Sequence, residues 1–154
     1  MSAAPIVEEA PPPSTVQHPD PSMQDVTRVW TLQELSRYGG SQHRPDRLLI
    51  SFNGLVYDVS SAARTYGKGG AYGMTSGRDA SRSFCVNCFR DTCLLPDLRD
   101  MTPEQNEQIE KWQSMFERTY PRVGRVAKSE LSSTDEQLAA ASASVEEVRR
   151  LHAM

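Results

Sequence analysis

No stretch of this 154-residue sequence approaches the roughly 18 consecutive apolar residues that a membrane helix requires, so no transmembrane segment is expected. The first ten residues, Met1 to Ala10, lack both a basic cluster and an apolar run, and no secretory signal is expected there. Histidine is scarce. His18, His43 and His152 are the three present, no two are spaced to grip a metal or haem from opposite sides, and no serine has a His/Asp relay near it. Hydrolase chemistry therefore has no footing, and no catalysis of its own is expected. Cysteine is scarce too: Cys85, Cys88 and Cys93 fall one sulfur short of a zinc or iron–sulfur site. An odd count without secretory context implies reduced thiols and a cytoplasmic location. Cys85 and Cys88, one turn apart on a helix, are the only candidate redox pair. Excess positive charge is also missing, since 17 basic residues face 20 acidic ones, which excludes a nucleic-acid binder that must displace counterions from phosphates.

Six of the ten prolines precede residue 22, and residues 1–26 hold almost no large apolar side chain. Such a stretch cannot bury enough surface to offset its ordering entropy and reads as a disordered tail. Folding signals run from residue 27 to 128. Thr31-Leu32-Gln33-Glu34 forms a capping box for a short helix, which Gly39-Gly40 is expected to end in a left-handed turn. Two apolar runs, Leu48 to Phe52 and Leu55 to Val59, flank Asn53-Gly54, a strong hairpin signal because both turn residues tolerate positive φ. A helix is expected over 79–89. Another starts at Thr102-Pro103-Glu104-Gln105 with Ile109, Trp112, Met115 and Phe116 on one stripe, and Val123 to Val126 reads as a closing strand. Residues 129–154 carry only a thin stripe of Leu138, Val145, Val148 and Leu151, and a flexible or weakly helical tail is expected.

Tyr66 and Tyr72 bracket a glycine-rich loop, Tyr66-Gly67-Lys68-Gly69-Gly70-Ala71-Tyr72-Gly73, with Arg64, Arg78 and Arg82 nearby. Together with the hairpin, with Gly77-Arg78-Asp79-Ala80-Ser81-Arg82, with Trp112 to Phe116 and with Tyr120-Pro121-Arg122-Val123-Gly124, this order resembles the membrane-associated progesterone receptor family. That family is the tyrosine-using branch of the cytochrome b5-like haem/steroid-binding domains, and the likeness runs from about Trp30 to Lys128.

The resemblance implies an α+β fold, a small mixed sheet with helices forming an open haem cleft. It implies ferric haem held by Tyr72 as the single axial ligand, with Tyr66 hydrogen-bonded to it and Tyr120 near the haem edge. Gly73 and its neighbouring glycines would admit the porphyrin, and Lys68 or Arg78 would pair a propionate. A phenolate favours ferric iron and lowers its potential, which suits haem storage, transfer or sensing, with a sterol or other apolar molecule as a further ligand. Two departures from the family stand out. Thr119 occupies the place of a lysine, and Lys68, Gly69 and Ala71 replace residues that would stiffen the loop. They point to the alternative reading, an interaction adaptor that keeps the fold without haem and recruits protein partners through its tails. In that setting Tyr57 and Trp112 are expected in the core, and Arg78 with Asp79 as a buried or capping pair.

Overall fold

The computed structural model describes residues 27–39 and 47–153. The Pro-rich segment 1–26, His18, Gly40 and His43 lie outside the described residues. Strand β1 (Val29–Trp30) leads into helix α1 (Leu32–Leu35), whose cap is the one the sequence announces: Thr31 Oγ1 accepts from Glu34 N and Glu34 Oε1 accepts from Thr31 N, each at 3.0 Å. The chain leaves this helix through a 3₁₀ turn at Ser36–Tyr38, and Gly39 is extended rather than left-handed (φ −92°). Its lack of a side chain serves another purpose there, because a Cβ would sit 2.7 Å from Ser76 O.

Strands β2 (Leu49–Phe52) and β3 (Leu55–Asp58) form the hairpin, with Asn53 and Gly54 both at positive φ (51° and 80°) as a type I′ turn needs. Strand β4 (Arg122–Val126) pairs antiparallel with β3 and parallel with β1, giving the order β1-β4-β3-β2. Both faces of this small mixed sheet are covered. Leu49 and Val56 look towards Trp30, Leu35, Val123 and Val126. Ile50, Phe52 and Tyr57 look towards an aromatic core with Phe84, Trp112 and Phe116, where the expected burial of Tyr57 and Trp112 is found.

Helix α2 (Ala63–Tyr66) precedes the glycine loop, and helix α3 (Ser81–Val86) follows it. Helix α3 is shorter than the expected 79–89. Asp79 stops the chain at one end by accepting from Ser81 N, and Asn87 closes the other in the left-handed conformation (φ 56°). Helix α4 (Pro103–Thr119) has its Thr102/Gln105 capping box and buries Trp112 and Phe116, with Ile109 and Met115 packed at the margin.

Two expectations need correction. The C-terminal segment is a regular 19-residue helix, α5 (Asp135–Ala153), capped by Thr134 and Gln137. It docks through Ala141, Val145 and Val148, while Leu151 points to solvent; the small residue Ala141, absent from the expected stripe, is the one fully buried. The thiols are not all reduced: Cys88 and Cys93 form a disulfide with Cα atoms 5.9 Å apart, and Cys85 is the free, buried one. The expected Cys85–Cys88 pair does not form, because the left-handed Asn87 turns the chain out of the helix between them. The thiol argument for a cytoplasmic location goes with it.

Candidate functional site

The three tyrosines arrive from three places and meet. Tyr66 ends α2, Tyr72 lies in the turn beyond the glycine loop, and Tyr120 caps α4. Tyr66 is central: its ring centroid is 6.0 Å from that of Tyr72 and 6.0 Å from that of Tyr120. Trp112 reaches the same cluster edge-on, 6.0 Å from Tyr72.

The glycine loop is tighter than its composition suggests. Tyr72 N donates to Thr65 O (2.9 Å), Gly70 N to Gly67 O (2.9 Å) and Gly73 N to Gly70 O (3.1 Å). A Cβ on Gly73 would lie 2.4 Å from Gly67 O, and one on Gly70 would lie 2.3 Å from Arg64 O. These two glycines therefore let the loop fold onto the end of α2, instead of leaving its backbone open to a porphyrin plane. The loop is locked from below as well: Ser76 Oγ donates to Tyr66 O, Thr75 Oγ1 donates to Tyr72 O (2.7 Å), and Gly77 N donates to Leu49 O (2.6 Å).

The Gly-Arg-Asp-Ala-Ser-Arg string is the fastener of this arrangement. Asp79 is buried, accepts from Ser51 Oγ (2.6 Å) and Ser81 N (2.9 Å), and bridges to strand β2 through Ser51. Burial holds its carboxyl above the ordinary range, with the bonds from Ser51 and Ser81 working against the shift. Ser81 Oγ accepts from Asn53 N (2.7 Å), and Arg82 Nη1 donates to Asp97 O (2.8 Å). Arg78 does not pair with Asp79 as expected; its guanidinium turns outward to Asp91 at 2.7 Å. Lys68 is exposed on the loop.

What sets the tyrosine cluster apart is unmet hydrogen bonding. Tyr66 Oη, Tyr120 Oη and Trp112 Nε1 are buried polar atoms without a well-formed hydrogen bond among the described residues, the two phenols interacting with one another only weakly; Gln108 Oε1, four residues before Trp112 on α4, and Arg47 Nε are buried and unmet as well. Burial drives the Tyr66 phenol well above its usual pKa, reinforced by the neighbouring Tyr120 and Tyr72, and pushes Tyr120 up to about 12. Both therefore stay protonated. Buried groups of this kind cost free energy unless something satisfies them, which makes this cluster the candidate site.

The haem cleft expected to be open beside Tyr72 is closed. Phe84 (5.3 Å, edge-on), Phe89 (5.4 Å, tilted) and Trp112 cover its ring, which is only 7% exposed. Phe84 stacks on Trp112 at 4.0 Å and completes the wall. The donor set fits haem, since phenol oxygens are good partners for ferric iron and orphaned hydroxyls can hydrogen-bond around them. Access to Tyr72 requires that at least one of these covering rings move aside. Sequence reasoning missed Phe84, Phe89 and Gln108 as site residues. Gln108 stands one helical turn before Trp112, a spacing that could have drawn notice.

Residues 31–127 match the cytochrome b5-like haem/steroid binding domain, which is most of the chain. The chain belongs to the membrane-associated progesterone receptor branch of that family. It is 38% identical over 104 residues to membrane-associated progesterone receptor component 2 of Homo sapiens, covering 66% of this chain and 46% of that protein. It is 38% identical over 99 residues to neuferricin of Homo sapiens, covering 64% of this chain and 37% of that one. The chain thus spans less than half the length of either relative. Among solved structures, an Arabidopsis thaliana protein with a cytochrome b5 like fold superposes with a TM-score of 0.60 at 29% identity, covering 73% of this chain and 99% of that one. The expected α+β, cytochrome b5-like architecture is what the sheet and helices form. Among the described residues, no helix is long and apolar enough to cross a membrane.

Proposed function

We propose that the domain binds haem with Tyr72 as the iron ligand, and that it serves haem storage, transfer or sensing without catalysing a reaction itself. The observation that carries this reading is the buried Tyr66 Oη and Trp112 Nε1, without well-formed partners, on rings beside Tyr72, with Tyr120 Oη in the same state on the other side of Tyr66. Bound haem would supply a ferric iron, which a phenolate oxygen could hold and stabilise against reduction. Tyr66, kept protonated by burial, donates to that oxygen and fixes its direction, a supporting role that outer partners commonly play around metal ligands. Tyr120 donates near the rim. Exposed Lys68 serves a propionate, and Arg78 does so after releasing Asp91, an exchange of one solvent-exposed partner for another. Gly73 acts indirectly, by letting the loop fold tightly enough to present Tyr72. The aromatic walls would equally suit a sterol or another flat apolar molecule with one or two hydrogen-bonding oxygens.

The second reading, an interaction adaptor that keeps the fold without haem, is favoured by one observation: Tyr72 lies beneath Phe84, Phe89 and Trp112. A hemin titration of wild type and Tyr72→Phe decides between them. Saturable binding with a Soret shift and a high-spin ferric charge-transfer band, lost in the variant, supports haem ligation. Identical, non-saturating spectra from both proteins leave the adaptor.

A further inference from the structure

We propose that Phe89 is the gate of the tyrosine site, and that the Cys88–Cys93 disulfide with helix α5 docked across it is the latch that holds this gate shut. The inference rests on the haem reading for the identity of the ligand, but not for the latch itself. Phe89 follows Cys88 directly, so the bridge encloses it in a short loop, residues 88–93. Its ring lies 5.4 Å from Tyr72 and 5.3 Å from Phe84, so the loop carries the side chain that covers the candidate ligand. Val86, Asn87, Phe89 and Arg90 are only partly buried, and the segment contains no strand to hold it. Its covalent anchor is the pair of buried sulfurs, and its second half is a 3₁₀ turn, Asp91–Cys93, whose Cys93 O accepts from Ser83 Oγ at 3.0 Å.

Helix α5 packs over those sulfurs. Ala141 is fully buried against Cys88 and Cys93, and Ala141 O lies 3.8 Å from Cys93 Sγ. On either side, Thr92 Oγ1 and Ser144 Oγ are 2.5 Å apart, and Arg90 pairs with Glu147. Arg78–Asp91 adds a further tie to the glycine-loop side. These polar ties are solvent-exposed and individually weak. The covalent bridge is the strong restraint, because it removes conformations from the open loop. Opening therefore has an order. Helix α5 must lift before a thiolate can reach the sulfurs, because thiol–disulfide exchange needs access to one of them. A thiol reductant then forms a mixed disulfide with one cysteine, and a second thiol resolves it. The bridge takes up two electrons and two protons, the reductant leaves as its own disulfide, and Cys88 and Cys93 are left as thiols. Freed of the short ring, the loop can swing Phe89 away from Tyr72.

The test compares full-length oxidised wild type, Cys88→Ser/Cys93→Ser and Phe89→Ala. Apoprotein amide hydrogen exchange is followed over 84–95 and 138–148, and hemin association is followed by stopped-flow Soret absorbance. The double variant should exchange faster at 87–93, and both variants should bind hemin faster, the double variant by on the order of tenfold from the loop entropy that the six-residue ring no longer removes. Phe89→Ala should do so with α5 protection unchanged, which separates the gate from the latch and stands in should the double variant fold poorly. Exchange and association within twofold of wild type in both variants would overturn the proposal. If hemin binds none of the three proteins, the haem reading fails on its own. The exchange data then still judge the latch, which stands if 87–93 loses protection in the double variant and falls if it does not.

Discussion

The two tryptophans of this domain are both fully buried, and they live in opposite circumstances. Trp30 lies on one face of the sheet among Leu35, Leu49, Val56, Val123 and Val126, and its Nε1 donates to Val123 O at 3.0 Å. Trp112 lies on the other face, stacked on Phe84 and edge-on to Tyr72, and its Nε1 has no partner among the described residues. The first cluster has the completed hydrogen bonding of a structural core. The second leaves donors and acceptors unmet beside three phenols, which a fold tolerates where a ligand is to complete them.

Substitutions at the two rings should separate them most widely. Trp30→Ala should cost about 3–5 kcal/mol in urea denaturation, as large aromatic truncations in packed cores do. Phenylalanine sharpens the contrast, since Trp30→Phe also strands the Val123 carbonyl, at about 1–3 kcal/mol. Trp112→Phe likewise shrinks a packed ring, but the donor it sheds had no partner among the described residues. Its loss should be smaller than that of Trp30→Phe by about 1 kcal/mol or more, and equal losses would dissolve the distinction between the two faces.

The next effect lies between them. Tyr66→Phe removes a buried hydroxyl that lacks a well-formed hydrogen bond in the apoprotein, so thermal melting should show no loss of stability and a gain of up to about 1 kcal/mol. Hemin affinity should fall in the same variant. A stabilised protein with undiminished hemin affinity would count Tyr66 as packing alone.

A pH-dependent effect comes from outside both clusters. Burial tends to raise the Asp97 carboxyl, but hydrogen bonds from Arg99 and from Ser133 N outweigh it and bring it down to about 2. A depressed carboxyl stabilises the fold above the ordinary carboxylate range, and that contribution disappears as pH falls from about 4 towards 2. Asp79, raised by burial, acts in the opposite sense. Denaturation midpoints of Asp97→Asn should therefore lose part of the wild-type slope in that window, and an unchanged slope would contradict the assignment. Smallest of all, Arg78→Ala should cost under about 1 kcal/mol, because its pairing with Asp91 is solvent-exposed and screened by salt.

Much of the framework could be read from local chemistry. Thr31 with Glu34, Thr102 with Gln105, and Asn53-Gly54 each specify a conformation through partners two or three residues away, and each forms as expected. The tyrosines at 66, 72 and 120 could be singled out as a group, but only folding decides that Tyr66 stands between the other two. The glycine loop misled because composition suggests freedom while the missing side chains permit close backbone packing. Cys88–Cys93 was illegible for a related reason: Asn87 turns left-handed and redirects the chain after Cys85. The docking of α5 centres on a fully buried alanine, too small to register in an apolar stripe, with Val145 and Val148 packed beside it.

By itself the sequence determined the helix caps, the hairpin, the absence of histidine pairs and the family to which the domain belongs, because these depend on residue types at short, fixed separations. Only the tertiary structure decided which polar atoms go unmet, which ring covers Tyr72 and which sulfurs join. Those outcomes depend on where distant segments come to rest against one another, and on which of their groups are cut off from water there.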